Sequence, residues 1–92
     1  MDDFEAFVAA ARARGFDEAL VREWEAGHET PVHTHPFDAE ALLVRGEFWL
    51  TVDGVTRHLQ AGDRFAVVRG TPHVERYGAA GATFWVARRG GT

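Results

Sequence analysis

An all-β domain, a small barrel or sandwich of short strands behind one N-terminal helix, is the fold class this sequence predicts. Three observations carry it. Apolar and polar residues alternate with a period of two through most of the chain, the spacing of half-buried strands. Turn signals rich in Gly, Asp and Pro recur about every 8–12 residues. A helical period is confined to the first 15 residues.

The helix comes first. Phe4, Phe7, Val8 and Ala11 fall at i, i+3, i+4 and i+7, one face of an α-helix. Asp2 or Asp3 offers an N-cap. Gly15, after Arg12 and Arg14, has the chemistry of a C-terminus, so the helical segment is expected within 1–15. Strands then fill 20–87. Leu20, Arg22, Trp24 and Ala26 alternate with Val21, Glu23 and Glu25. Glu40 to Arg45 is a mostly apolar run, and Gly46 leads into Glu47 to Val52. Asp53-Gly54 is a two-residue hairpin signal. Val55 to Leu59 returns, Ala61-Gly62-Asp63 turns, and Arg64 to Val68 follows. Gly70-Thr71-Pro72 turns before His73 to Tyr77. Gly78 to Gly81 is expected as a loop, Thr83 to Ala87 as the last strand, and Arg88 to Thr92 as a frayed, solvated tail. Seven or eight short strands result.

Composition bounds the partners. The 92 residues make one domain, 1–92. A chain this short buries only about 60–65% of its unfolded surface, so it needs a dense core or a partner. Three Trp and seven Phe supply apolar bulk for a wide interior, a pocket or a dimer face. A homodimer is expected, with Leu20 to Ala26 and the face of Phe4, Phe7 and Val8 as donors of the interface. The net charge of -4 leaves no basic stripe for nucleic acid or for anionic membranes. Cysteine is absent, which excludes disulfides and thiolate metal sites. No apolar run approaches 18 residues, and Met1-Asp2-Asp3 lacks the basic start of a signal peptide. A soluble cytoplasmic protein is the expectation.

The chemistry lies in two cassettes. The first runs from Gly27 through His33-Thr34-His35 to Gly46. The second runs from Gly62 through Gly70 to His73. A His-x-His pair in extended backbone puts both imidazoles on one face, with Cβ atoms about 6.6 Å apart. Both rings can then converge on one ion at about 2.1 Å. His73 from a neighbouring strand would complete a three-nitrogen site.

These cassettes resemble the two motifs of the cupin superfamily in its small single-domain form. In the first, Gly27, His33, His35 and Gly46 match in identity and spacing. In the second, Gly62, Gly70 and His73 match, while Val68 replaces a proline and Tyr77 an asparagine. The resemblance covers about residues 20–87. It implies a double-stranded β-helix (jelly-roll) barrel and a divalent transition metal held by His33, His35 and His73. Zinc, nickel, iron and manganese all remain open; nitrogen-rich ligation suits zinc, nickel, copper or iron better than magnesium or calcium.

The family glutamate is the main departure. Counted back from Gly46 it falls on Ala39, which binds nothing. Counted from His35 it falls on Glu40, whose one-residue offset turns it to the opposite face. Glu40 would reach the histidines only through a bulge. Asp38, alternatively a turn residue, or a water are the other candidates for a fourth ligand.

The competing account of the histidines is a metal-free domain with hydrogen-bonded pocket imidazoles. His28 and His58 read as surface residues, and Glu23, Glu25 and Glu29 as a solvated edge. Trp24, Phe48, Phe65, Phe84 and Trp85 read as core, and Trp49 and Tyr77 as residues of the pocket mouth. Two functions follow. One is a metalloenzyme, such as a dioxygenase or isomerase acting on a small oxygenated or carboxylic compound. The other is a module that binds or senses a small molecule or metal without turnover. The sequence assigns no catalytic residue.

Overall fold

The computed structural model describes residues 3–90. Helix α1, Phe4–Ala13, opens on Asp3, whose side chain accepts the Ala6 N–H at 2.7 Å. The alternative cap, Asp2, lies outside the described residues, as do Gly91 and Thr92 of the expected tail. Five strands follow: β1 Glu18–Trp24, β2 Asp38–Val52, β3 Val55–Gln60, β4 Arg64–Val67 and β5 His73–Arg89.

The strand count differs from the seven or eight expected, and the reason is physical. Gly46 and the Gly78–Gly81 stretch do not end strands; they bend them. β2 and β5 pair antiparallel along almost their whole lengths, with register shifts between Leu43 and Arg45 and between Gly46 and Phe48. Gly46 and Gly81 both have positive φ, 83° and 72°. A Cβ on Gly46 would collide with the Gly81 carbonyl, and one on Gly81 with the Trp24 carbonyl. Three chain segments therefore cross at one node where only glycine fits. Arg45 ties the node, donating to Thr83 Oγ1 at 3.1 Å and to the Ala80 carbonyl at 2.9 Å.

Each long strand thus serves two layers. The first half of β2 pairs with β4 and with the last half of β5, which in turn pairs with β1. The second half of β2 pairs with β3 and with the first half of β5. The bulges also flip side-chain parity: odd positions such as Leu43 face the core before the node, and Phe48 and Leu50 after it. The resulting cupin-like β-barrel closes on Leu43, Phe48, Leu50, Leu59, Val67, Tyr77, Ala82 and Phe84. Asp53-Gly54 makes the expected tight turn, with φ of 56° and 77°.

Two further expectations change. The helix packs on its own barrel: Ala11 joins Phe16 and Ala87, while Phe4 and Phe7 meet the Trp85 ring at 5.8 and 5.9 Å. Arg88 and Arg89 continue β5 instead of fraying, because Arg88 pairs with Glu18 at 2.6 Å and Asp17 accepts the Gly90 N–H at 2.8 Å. Among the described residues no helix is long and apolar enough to cross a membrane.

Candidate metal centre

The histidine-bearing part of the first cassette lies in the 13 residues between β1 and β2, where regular strand is absent. It is nevertheless fixed, because it runs antiparallel beside the first half of β5. Tyr77 N–H donates to the His28 carbonyl at 2.8 Å, and Thr30 N–H to the Glu75 carbonyl at 2.9 Å. His33 and His73 exchange both backbone hydrogen bonds, at 3.1 and 3.0 Å. Gly70 N–H closes the far end on the His35 carbonyl at 3.0 Å. The segment acts as an edge strand without the regular ladder of one.

That pairing brings His33, His35 and His73 together. Ring centroids stand 4.2 Å apart for His33–His73, 4.8 Å for His35–His73 and 4.9 Å for His33–His35. One nitrogen from each ring lies within 4.8 Å of the others. A tetrahedral ion with bonds of about 2.1 Å needs nitrogens roughly 3.4 Å apart, so small side-chain rotations suffice. His73 is buried, and the other two are half-buried.

Two of the imidazoles are already oriented. His33 Nδ1 sits 2.8 Å from the Pro31 carbonyl, and His73 Nδ1 sits 2.9 Å from the Thr71 carbonyl. A carbonyl only accepts, so Nδ1 carries the proton and Nε2 keeps its lone pair free. Backbone carbonyls hold metal-ligating histidines in this manner. His35 has its pKa lowered to about 4, chiefly by burial and then by the neighbouring His73 and His33. It is neutral at pH 7, the state that a ligand requires. The donor set therefore fits a divalent transition ion.

The carboxylates fall differently from the expectation. Glu40 does face away, as parity requires: it pairs with Arg14 at 2.6 Å on the other side of the sheet. Ala39 lines the histidine cavity instead. Asp38 is spent on the Arg69 N–H at 2.8 Å and on Arg89 at 3.7 Å. The acid beside the histidines is Glu75, which the sequence reading missed. It is 8% exposed, and its Oε2 stands 3.5 Å from His33 Nε2. The signal was available: His73, Glu75 and Tyr77 share one face of a strand by alternation.

Trp49 is a correction. The parity flip at Gly46 puts it outside the barrel, stacked on His58 at 4.6 Å and under Arg76 at 4.1 Å. Tyr77 is also no mouth residue; it is 1% exposed within the core. Its hydroxyl has no hydrogen-bond partner of ordinary geometry, and burial, then the negative charge of Glu75, push the phenol above its usual range. His58 is exposed and pairs with Glu47 at 2.7 Å. His28 is exposed as a residue, yet its ring stacks on Trp24 at 5.3 Å and forms part of the cavity wall. The cavity measures about 330 Å³ and carries aromatic lining from Trp24, Phe37, Phe65 and Phe84.

A family model described as "Cupin domain" matches residues 20–83. Among solved structures, the chain is similar to an RmlC-like cupin from Shewanella frigidimarina NCIMB 400. The identity is 31% and the TM-score 0.66, over 76% of this chain and 63% of that one. It is similar to the DMSP lyase DddQ from Ruegeria pomeroyi DSS-3 at 30% identity and TM-score 0.71, over 78% of this chain and 37% of that one. Likeness to the cupin domain of Schizosaccharomyces pombe Cnp3, at 23% identity and TM-score 0.71, covers 78% of this chain and 54% of that one and concerns fold alone. The chain thus spans 37–63% of the length of these three structures. No curated protein matches it.

Proposed function

This chain belongs to the cupin family, and we propose that it holds one divalent transition ion on His33, His35 and His73 and presents it to a small molecule. The observation that carries the reading is the convergence of three imidazoles, two of them with Nδ1 pinned by a backbone carbonyl. Such an ion, when bound, supplies Lewis acidity toward an oxygen of the bound molecule. The chain's own residues do the rest. The carbonyls of Pro31 and Thr71 aim Nε2 inward. Trp24, Phe37, Phe65 and Phe84 give the cavity an apolar wall that lowers the dielectric around the site. Glu75, beside His33 Nε2, takes the role of the proton-transfer group that a metalloenzyme needs. Zinc, nickel, iron and manganese all satisfy this donor set.

Ala39, standing where the family carries glutamate, favours a second reading: a module that binds its ligand without turnover. The two separate on Glu75. On metal-saturated protein, Glu75→Gln abolishes turnover in an enzyme but leaves ligand binding intact in a sensor.

We include in this reading a single domain over 1–92, a cytoplasmic setting and a homodimer. Since α1 is used on its own barrel, the dimer contact would fall to β1, which among the described residues has a strand neighbour on one side only. Light scattering at micromolar concentration tests it, and a mass near 10.2 kDa would remove it.

Elemental analysis of protein purified without a histidine tag is the decisive experiment. The expected result is about one equivalent of metal, falling to none in the His33→Ala, His35→Ala double variant with strand content unchanged. Less than a tenth of an equivalent after reconstitution with each of the four metals would leave an inert histidine pocket.

A further inference from the structure

The wall of the histidine cavity holds two guanidiniums that ion binding does not use. Arg22 rises from β1 and Arg88 from the end of β5, with Ala39 of β2 the cross-strand neighbour of Arg88. Arg22 lies over the Trp24 ring at 4.9 Å, and Arg88 over the Phe37 ring at 4.8 Å. Among the described residues, no carboxylate stands within salt-bridge distance of Arg22. Arg88 gives one terminal nitrogen to Glu18 at 2.6 Å, while its Nε is buried and has no hydrogen-bond partner. Glu75, the carboxylate on this wall, leans on His33 and not on either arginine.

We propose that Arg22 and Arg88 are a carboxylate clamp beside the histidine cluster, so that the ligand of this cavity is a small organic acid. This rests on reading the cavity as a ligand site. A guanidinium is weakly hydrated and tolerates an apolar wall, yet it offers paired N–H donors matched to the two oxygens of a carboxylate. A positive charge in a half-enclosed aromatic cavity is stabilised by an anion far more than it would be in water. Arg22, Arg88 and the three histidines line the same cavity, so the clamp and the histidines face one space. Its volume, about 330 Å³, is at the small end of ligand sites. A carboxylate is favoured over phosphate because the buried Glu75 already lines the wall and opposes a dianion.

Calorimetry with benzoate, benzamide and inorganic phosphate tests the proposal, on chelated and on zinc-loaded protein. Benzoate binds both forms, and benzamide and phosphate bind at least tenfold more weakly. Arg22→Gln weakens benzoate about tenfold, Arg22→Lys restores part of the loss, and Arg14→Gln changes nothing. Circular dichroism verifies that each variant is folded. Equal binding of benzamide, tighter binding of phosphate, or no binding of benzoate overturns the clamp. So does benzoate that binds only the zinc-loaded protein and ignores Arg22→Gln, since the ion alone would then hold it. Metal content, measured separately on every variant, fails or survives independently of the clamp.

Discussion

The two faces of the sheet formed by β4, β2 and β5 carry two cavities with different chemical groups. One, about 330 Å³, gathers three histidines, Glu75 and two arginines among aromatic rings. The other, about 580 Å³, lies under α1 and sets Arg57, Arg64 and the Arg14–Glu40 pair among alanines and Phe7, with no histidine. Adjacent residues divide between them: Ala39 belongs to the first and Glu40 to the second. A period of two is all that separates a carboxylate among histidines from one in a surface ion pair. Chemistry in this barrel is therefore a matter of parity, and parity is set at the glycine node.

The largest effect is expected where both faces depend on the same backbone. Gly46→Ala or Gly81→Ala sets a Cβ against a carbonyl at a positive φ. The Gly81 carbonyl is held by the pairing of β5 with β2, and the Trp24 carbonyl by the end of the β1–β5 ladder, so neither can move without breaking strand pairing. We expect a loss of roughly 4 kcal/mol or more, or no folded protein. Thermal melts check this. A variant that melts within a few degrees of the parent would show that the node is slack and that parity is fixed elsewhere.

Next comes the transfer of a carboxylate across the sheet. Ala39→Glu puts an acid on the histidine side, at the place where the cupin resemblance sets the family's own glutamate. Metal affinity, by competition with a chromogenic chelator, is expected to rise about tenfold, the scale on which ligand-shell groups act. An unchanged affinity would mean that the new side chain is captured by Arg88, its cross-strand neighbour. Glu75→Gln is the converse, removing the acid already there. It is expected to weaken metal binding by about tenfold as well. No change would confine Glu75 to proton transfer.

How far the sequence revealed this division can be judged residue by residue. Local signals held. The i, i+3, i+4, i+7 face of α1, the Asp53-Gly54 turn and the convergence of His33, His35 and His73 all follow from short-range periodicity or motif spacing. Features that depend on two segments crossing were illegible. Gly78-Ala79-Ala80-Gly81 looks like a loop because glycine is read as a breaker; in the fold it is the bend of a strand whose partner supplies Gly46. Trp49 was misplaced for the same reason, since a bulge moves every later residue to the other face. Glu75 alternates with His73 and so shares its face, but the cupin resemblance sets the acid in the first cassette after His35, where only Asp38 and Glu40 stand.

The smallest expected effect is the sharpest test of the two-faced sheet. Glu40 satisfies the spacing from His35, and only strand parity argues against it as a ligand. The structure gives it to Arg14 at 2.6 Å, with side chains 37% and 58% exposed. An ion pair so open to water contributes little, about 0.2–1 kcal/mol, because solvent screens the charges and two long side chains must be held still. Glu40→Gln should therefore lower the melting temperature by a few degrees at most, and less in high salt. Metal stoichiometry and affinity should not change at all. The charge removed faces the cavity under α1, across the backbone of β2 from the imidazoles. A tenfold fall in metal affinity would mean that Glu40 reaches the histidines, that β2 carries a further bulge after Asp38, and that the two cavities share their carboxylate.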